Sequence, residues 1–369
     1  MRKIRVLIVD DSTVIRRLLS DALASDPCIE IAGIAANGKI ALSKIPQLNP
    51  DILTLDMEMP EMDGLTTLVE LRKLYPKLPV IMFSTLTKRG AESTLEALEK
   101  GANDYVTKPA NVGSVNAAIQ SVQNDLIPKI KQFCKWATPA NATPIRQQSQ
   151  VFRSNSLLAG QTTGRTKRVE LVVIGTSTGG PNALSTVLPR IPADFPVPIL
   201  IVQHMPPIFT AHLAGRLNQL SNIHVHEAAH GDVLQPGGAW IAPGNFHLTI
   251  GRFGTQLKAV LNQDPLENSC RPAVDVLFRS ASELFGPNVL SVVMTGMGQD
   301  GQRGCDAIRQ AGGYVIVQDE PTSVVWGMPG SVANAGHANQ ILPLQRIADE
   351  IILQTQSGRP ARTLERTAT

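Results

Sequence analysis

The feature that most constrains this chain is an alternation, five times over in its first 123 residues, between short unbroken apolar runs and segments of helical periodicity. The runs are 4–9, 29–35, 52–55, 80–83 and 105–106. Each is rich in Val, Ile or Leu, the pattern of strands buried on both faces of a parallel sheet. Between the first two, Val14, Leu18, Leu19 and Leu23 recur at helical spacing. A repeated strand–helix order predicts a doubly wound open sheet, because right-handed crossovers cover both faces. The same alternation returns from Val169 onward. Strands are expected at 171–175, 199–203, 289–294 and 314–317, and helices near 181–188, 209–220, 274–285, 301–310 and 344–353. The fold class is therefore α/β, with two doubly wound parallel-sheet domains. A Gly- and Pro-rich section at 223–262 is expected to hold a hairpin or two.

Composition separates these regions. Between Leu126 and Val169 there is no acidic residue, eight are Lys or Arg, and Pro, Gln, Ser, Thr and Asn dominate. Such a stretch buries too little to offset its ordering entropy, so its later part reads as a mobile tether. The expected division is 1–123, a linker at 124–168, and a second domain at 169–356, with a frayed end. A length of 369 residues suits this plan. A net charge of +3 is too mild to imply nucleic acid or membrane partners. No apolar run approaches the ~18 residues needed to span a bilayer. The apolar run at the start ends in Asp10 and Asp11 without a cleavage site, so no signal peptide is expected, and no membrane insertion. Cys28, Cys134, Cys270 and Cys305 lack CxxC spacing and read as free, reduced thiols of a cytoplasmic protein.

In open α/β sheets, ligands bind beyond the carboxyl ends of the strands. In the first region those ends carry Asp10 and Asp11, Asp56, Ser84 and Lys108. Three converging carboxylates repel one another unless a hard cation such as Mg²⁺ joins them. A carboxylate beside such an ion can attack a phosphoryl group, and the Ser84 hydroxyl and Lys108 ammonium can hold the product. Taken singly, each residue is more often a cap or a surface charge. Taken together, with Lys108 followed by Pro109, they resemble the receiver domains of two-component response regulators over residues 1–123. That resemblance implies a flavodoxin-like fold, phosphorylation of Asp56, and metal binding by Asp10, Asp11 and Asp56. It also implies switch roles for Ser84 and Lys108, with Mg²⁺ as the cofactor.

In the second region, Val172-Val173-Ile174-Gly175-Thr176-Ser177-Thr178-Gly179-Gly180-Pro181 runs from a buried strand through a small-residue turn into a helix. As G-x-S-x-G it fits a nucleophile elbow. As a glycine-rich turn it could hold a phosphate, but it lacks the G-x-G-x-x-G and Gly-Lys spacings. Ser177 could also merely cap the helix. A nucleophilic serine needs a base and a group to orient that base. His204 follows the strand at 199–203, and Asp300 follows the strand at 289–294, so three strand ends offer Ser177, His204 and Asp300 to one crevice. His224, His226 and His230 have H-x-H-x₃-H spacing but no thiolate or carboxylate set for zinc. His247 and Arg271 stand in reserve as substrate contacts.

These turns, with Gln203-His204-Met205-Pro206, Met297-Gly298-Gln299-Asp300-Gly301 and Arg271-Pro272-Ala273-Val274-Asp275, resemble the catalytic domain of the bacterial chemotaxis protein-glutamate methylesterases. Thr176 and Gln299 depart from the commonest pattern, where Ala and Asn are usual. The resemblance implies a Rossmann-like methylesterase domain that demethylates glutamate esters and deamidates glutamines on methyl-accepting chemoreceptors. It implies a Ser177–His204–Asp300 triad without a cofactor and a chemotaxis histidine kinase as phosphodonor, and the backbone amides of Thr178 and Met297 are the candidates for an oxyanion site. It further implies that the unphosphorylated receiver covers the hydrolase cleft. A response regulator with a non-catalytic binding output domain is the alternative.

Overall fold

The computed structural model describes residues 2–109, 114–134 and 168–357. In the first region, β1 (Ile4–Val9), β2 (Ile29–Ala35), β3 (Ile52–Asp56), β4 (Val80–Ser84) and β5 (Asp104–Thr107) alternate with α1 (Thr13–Ala24), α2 (Gly38–Leu48), α3 (Gly64–Leu74), α4 (Lys88–Glu99) and α5 (Val115–Phe133). All strand pairs are parallel, in the order β2-β1-β3-β4-β5. This is the flavodoxin-like order, with its switch point at β1/β3. Each helix starts on a side-chain cap, Ser12, Asn37, Asp63, Thr87 or Ser114, whose oxygen accepts a first-turn N–H. Each such cap stabilises its helix by about 1 kcal/mol.

The boundary expected at residue 123 falls inside α5, which continues to Phe133. Leu126 and Ile130 are fully buried against Leu19, Leu23 and Ile52, so apolar burial extends the helix ten residues into the stretch read as linker. Its basic residues are partnered: Lys131 meets Asp26 at 2.6 Å and Lys129 meets Asp104 at 2.7 Å. The rest of the expected linker, 135–167, lies outside the described residues, as does the terminal stretch 358–369.

The second region begins with β6 (Leu171–Thr176), α6 (Gly180–Val187), β7 (Ile199–Gln203), α7 (Phe209–Leu220), β8 (His224–Glu227) and β9 (Gly238–Ile241). A hairpin of β10 (His247–Phe253) and β11 (Gln256–Asn262) follows, antiparallel and apart from the main sheet. Then come α8 (Val274–Phe285), β12 (Val289–Val293), α9 (Gln302–Gln310), β13 (Tyr314–Gln318), α10 (Met328–Asn334), β14 (Gln340–Leu342) and α11 (Leu344–Gln356). Seven strands form one all-parallel sheet in the order β14-β13-β12-β6-β7-β9-β8. The chain leaves β6 toward β7 and later returns to β12 on β6's other side. That reversal opens a crevice at the carboxyl ends of β6 and β12. The irregular section thus holds one hairpin, and its other strands, β8 and β9, extend the main sheet.

The two sheets meet through α4, β5 and α5 of the first region and α6 and α7 of the second. Tyr105 stacks on Phe209 with ring centroids 5.0 Å apart and planes within 6°. Asn182 Nδ2 donates to the Leu98 carbonyl at 2.9 Å, Arg216 pairs with Glu99, and His212 lies 3.4 Å from Glu92. One buried apolar cluster runs through this seam, from Leu95 and Leu98 to Met205 and Phe209.

Candidate active sites

At the carboxyl end of the first sheet, Asp10 and Asp56 are buried and Asp11 is exposed. Lys108 Nζ lies 3.0 Å from Asp10 Oδ2 and 2.8 Å from Asp56 Oδ2. Burial raises the Asp56 pKa, the Lys108 hydrogen bond opposes this, and the Asp10 charge raises it again, giving about 6. The Lys108 ammonium is held above its usual range: burial works against it, but Asp56 and Asp10 prevail. Oδ2 of Asp10 and Oδ2 of Asp56 have the Lys108 ion pair but no aligned hydrogen bond. Oxygens of Asp10, Asp11 and Asp56 lie within 4.8 Å of one another. An all-oxygen set of three carboxylates, two of them buried and neutralised only by Lys108, fits Mg²⁺. Ser84 is buried, and its hydroxyl donates to the Gly90 carbonyl at 3.2 Å, turned toward α4.

In the second sheet, the turn after β6 is folded by two glycines. Gly179 sits at φ 78°, and a Cβ on Gly180 would lie 1.9 Å from Gln203 Oε1. Gln203 clamps the turn: Thr176 Oγ1 donates to its Oε1 at 2.7 Å, and its Nε2 donates to the carbonyls of Ser177 and His204, each at 3.0 Å. Ser177 N donates to the Thr295 carbonyl at 3.0 Å, which ties the turn after β6 to the one after β12. No side chain caps α6; Gly180 N instead donates back to the Ser177 carbonyl at 2.8 Å, and Pro181 suits the first turn because it has no N–H to satisfy.

His204 Nε2 is 2.8 Å from Asp300 Oδ2, with the imidazole 13% exposed and the carboxylate 3%. Asp300 Oδ2 also accepts from Val274 N at 2.6 Å. Its Oδ1 accepts from Asn268 Nδ2 at 2.7 Å, Asp275 N at 3.0 Å and Gly301 N at 3.0 Å. Burial pushes the Asp300 pKa up, but the His204 hydrogen bond and charge, with the backbone donors, hold it below the ordinary carboxylate value. His204 is the mirror case. Burial opposes its charge, but bonds to Asp300 and Cys270 raise the imidazolium pKa to about 10. The other ring nitrogen, Nδ1, lies 3.7 Å from Cys270 Sγ. Ser177 shares the wall of this cleft but makes no hydrogen bond to His204.

Both reserve residues hold hydrogen bonds to nearby loops, and Arg271 also lines the cleft. His247 is buried: Nε2 meets the Pro265 carbonyl at 3.2 Å, and Nδ1 accepts from Ala273 N at 3.2 Å. Arg271 spends its guanidinium on Asn245 Oδ1 and the carbonyls of Gln263 and Asp264, stapling two loops. His230 Nδ1 accepts from Leu261 N at 3.2 Å and is not grouped with His224 and His226. Sequence reasoning missed Gln203, Asn268 and Cys270 as site residues. Cys270 stood directly before the Arg271-Pro272 motif, and its signal was only that adjacency.

The first region closes over this cleft. A cavity of about 380 Å³ is lined by Ser177, Thr178, His204 and Cys270 on one side and Asp104 and Lys129 on the other. Thr178 Oγ1 donates to Asp104 Oδ2 at 2.7 Å, and the same carboxylate oxygen accepts from Lys129 Nζ at 2.7 Å. Among the described residues no helix is long and apolar enough to cross a membrane.

Comparison with known proteins agrees with this layout. A family model described as CheB methylesterase matches residues 172–351, and one described as Response regulator receiver domain matches residues 6–120. The protein-glutamate methylesterase/protein-glutamine glutaminase of Trichodesmium erythraeum (strain IMS101) is 54% identical over 355 residues, covering 95% of this chain and 99% of that one. The protein of the same name from Nocardioides sp. (strain ATCC BAA-499 / JS614) is 49% identical over 363 residues, covering 98% of each chain. The crystal structure of the Thermotoga maritima CheB methylesterase catalytic domain matches at a TM-score of 0.50 and 42% identity, covering 50% of this chain and 98% of that domain.

Proposed function

The chain belongs to the CheB methylesterase family and carries a response regulator receiver domain ahead of the methylesterase domain, and from that premise we propose a phosphorylation-activated serine hydrolase of chemotaxis adaptation. It is a protein-glutamate methylesterase and protein-glutamine glutaminase, and its substrates are methylated glutamates and glutamines on chemoreceptors. The first domain is best drawn to residue 134, the tether from there to 168, and the catalytic domain at 169–356.

Ser177 is the nucleophile, His204 the base, and Asp300 the group that orients the base. With Nε2–H given to Asp300, the lone pair for proton transfer is on Nδ1. Ser177 Oγ attacks the γ-carbonyl carbon while Nδ1 takes its proton. The developing oxyanion is met by the N–H groups of Thr178 and Met297. Collapse breaks the C–OCH₃ bond, the imidazolium returns the proton, and methanol leaves. Water then attacks the acyl-enzyme, giving its proton to the same nitrogen and restoring Ser177 with a free glutamate. With glutamine the leaving group is ammonia. Each oxyanion donor lowers the barrier by about 3 kcal/mol.

Asp10, Asp11 and Asp56 would hold Mg²⁺, which supplies positive charge for phosphoryl transfer to Asp56 from a histidine kinase. The phosphoryl group competes for the Ser84 hydroxyl now bonded to Gly90 at the start of α4, and Lys108 pairs with it. Loosening α4 weakens the Leu98, Glu99 and Glu92 contacts to α6 and α7. The cytoplasm, where kinase and receptor tails meet, is the expected compartment.

One observation carries this reading: His204 and Asp300 pair beside Ser177 at the switch point, under the receiver residue Asp104. Methanol release from methylated receptor, with and without a phosphodonor, tests it. Ser177→Ala is expected to abolish release while leaving phosphorylation intact, and Asp56→Asn to abolish activation alone. Turnover retained by Ser177→Ala would refute the triad.

A further inference from the structure

We propose that Cys270 and His204, backed by Asp300, form a binding site for a soft divalent metal ion such as Zn²⁺, at which the ion silences hydrolysis. The inhibitory part rests on His204 being the base; the binding part does not. The thiol is placed by a loop in an unusual shape. Asn268 and Ser269, neither a glycine, are both left-handed, at φ 51° and 61°. Glu267 and Cys270 exchange backbone hydrogen bonds of 2.9 and 3.1 Å, and Glu267 is anchored by two bonds to Arg279, 2.7 and 2.6 Å. Consecutive strained residues persist only where their surroundings over-determine them, and such residues cluster at functional sites.

The result is a sulfur 3.7 Å from His204 Nδ1. An ion with a Zn–S bond of about 2.3 Å and a Zn–N bond of about 2.0 Å in tetrahedral geometry needs that edge to be about 3.6 Å. Donor atoms of His204, Cys270 and Asp300 lie within 4.8 Å of one another. Asp300 already engages Nε2, so Nδ1 is the ring nitrogen that faces the thiol. This is the carboxylate–histidine–metal arrangement that fixes tautomer and basicity at zinc sites. The cleft has room for water to complete four-coordination. On binding, the Cys270 thiol and the His204 imidazolium each lose one proton to solvent, and sulfur and Nδ1 then each give one electron pair to the ion. The ion then occupies the lone pair that the Ser177 proton requires. Ligand chemistry sorts the chain's two sites: the all-oxygen set at Asp56 suits Mg²⁺, and the sulfur–imidazole pair suits a soft ion.

The test is Co²⁺ titration of the full-length protein. A thiolate-to-cobalt charge-transfer absorption saturating at one ion per chain is expected in the wild type and in Ser177→Ala, and its loss in Cys270→Ser. Zn²⁺ should bleach the band, stop methanol release and be reversed by a chelator, with the inhibitory concentration raised at least about tenfold in Cys270→Ser. No band in the wild type, or an unchanged band in Cys270→Ser, overturns the site. Equal Zn²⁺ inhibition of both proteins overturns its role as the inhibitory site. Metal-free methanol release and its dependence on Ser177 are read separately, so failure of the site and failure of the triad are distinguishable.

Discussion

The proposed base, His204, must be neutral to take a proton, and its surroundings favour the cation. Burial opposes that charge, but Asp300, which has four N–H donors of its own, and Cys270 outweigh it and raise the pKa to about 10. Since the folded value lies above the ordinary 6.5, the stabilisation from this pair is complete below pH 6.5 and lost as pH rises through about 10. Basal hydrolysis by unphosphorylated protein should therefore climb with pH across this window, near tenfold per unit while the neutral fraction is small. A flat kcat/KM between pH 7 and 9 would place the base elsewhere. Asn268 acts one bond further out. Its Nδ2 bridges Asp300 Oδ1 at 2.7 Å and Asp275 Oδ2 at 2.9 Å, and its Oδ1 accepts from Arg303 at 2.8 Å. It relieves repulsion between two buried carboxylates and leaves Asp300 Oδ2 to the imidazole. Asn268→Ala should lower kcat about ten- to a hundredfold with KM little changed, and shift the pH profile, because misaligned groups cost rate before binding. A loss of thermal stability with an unmoved pH profile would make the residue purely structural.

Strands and helices that bury continuous apolar faces were legible, and so was the acidic pocket, because each of its residues follows such a run. The positions of Ser177, His204 and Asp300 were legible for the same reason: they follow β6, β7 and β12, and the proposed triad rests on that placement. Where polarity masks burial, the reading failed. The last two turns of α5 carry Lys129 and Lys131, whose charge suggested a tether, yet both pair with aspartates while Leu126 and Ile130 fill the core. Strand β8 reads His-Val-His-Glu, with its histidines exposed and only Val225 fully buried, so period-two burial in four residues gave little signal. Long-range polar clamps such as Gln203 and Asn268 have no local pattern at all. The element that matters most for control is β5. Asp104, its first residue, accepts from Thr178, which adjoins Ser177, and from Lys129 of α5. A hydrogen bond to a buried carboxylate contributes about 1.5–3 kcal/mol. Asp104→Asn should weaken this latch and raise basal methanol release by about tenfold or more, leaving the phosphodonor-stimulated rate nearly unchanged. An unaltered basal rate would mean that the α4 contacts alone hold the receiver down.

At the scale of the whole molecule, the proposed inhibition is an equilibrium between a receiver seated on the cleft and one displaced from it. The seam combines the Tyr105–Phe209 stack, two polar bonds and the pairs at Glu92 and Glu99. Its charged pairs at the rim are partly solvated and worth little each. The buried stack and the Asp104 bonds must therefore supply most of the closing energy, which is within reach of one phosphorylation event acting through Ser84 and α4. Closure blocks the substrate path to the cleft. Removing residues 1–167 should open it. The truncated enzyme is expected to release methanol faster than the unphosphorylated full-length chain and about as fast as the phosphorylated one. Turnover no faster than that of the unphosphorylated full-length chain would argue against occlusion, and slower turnover would mean that the receiver completes the catalytic site instead of covering it.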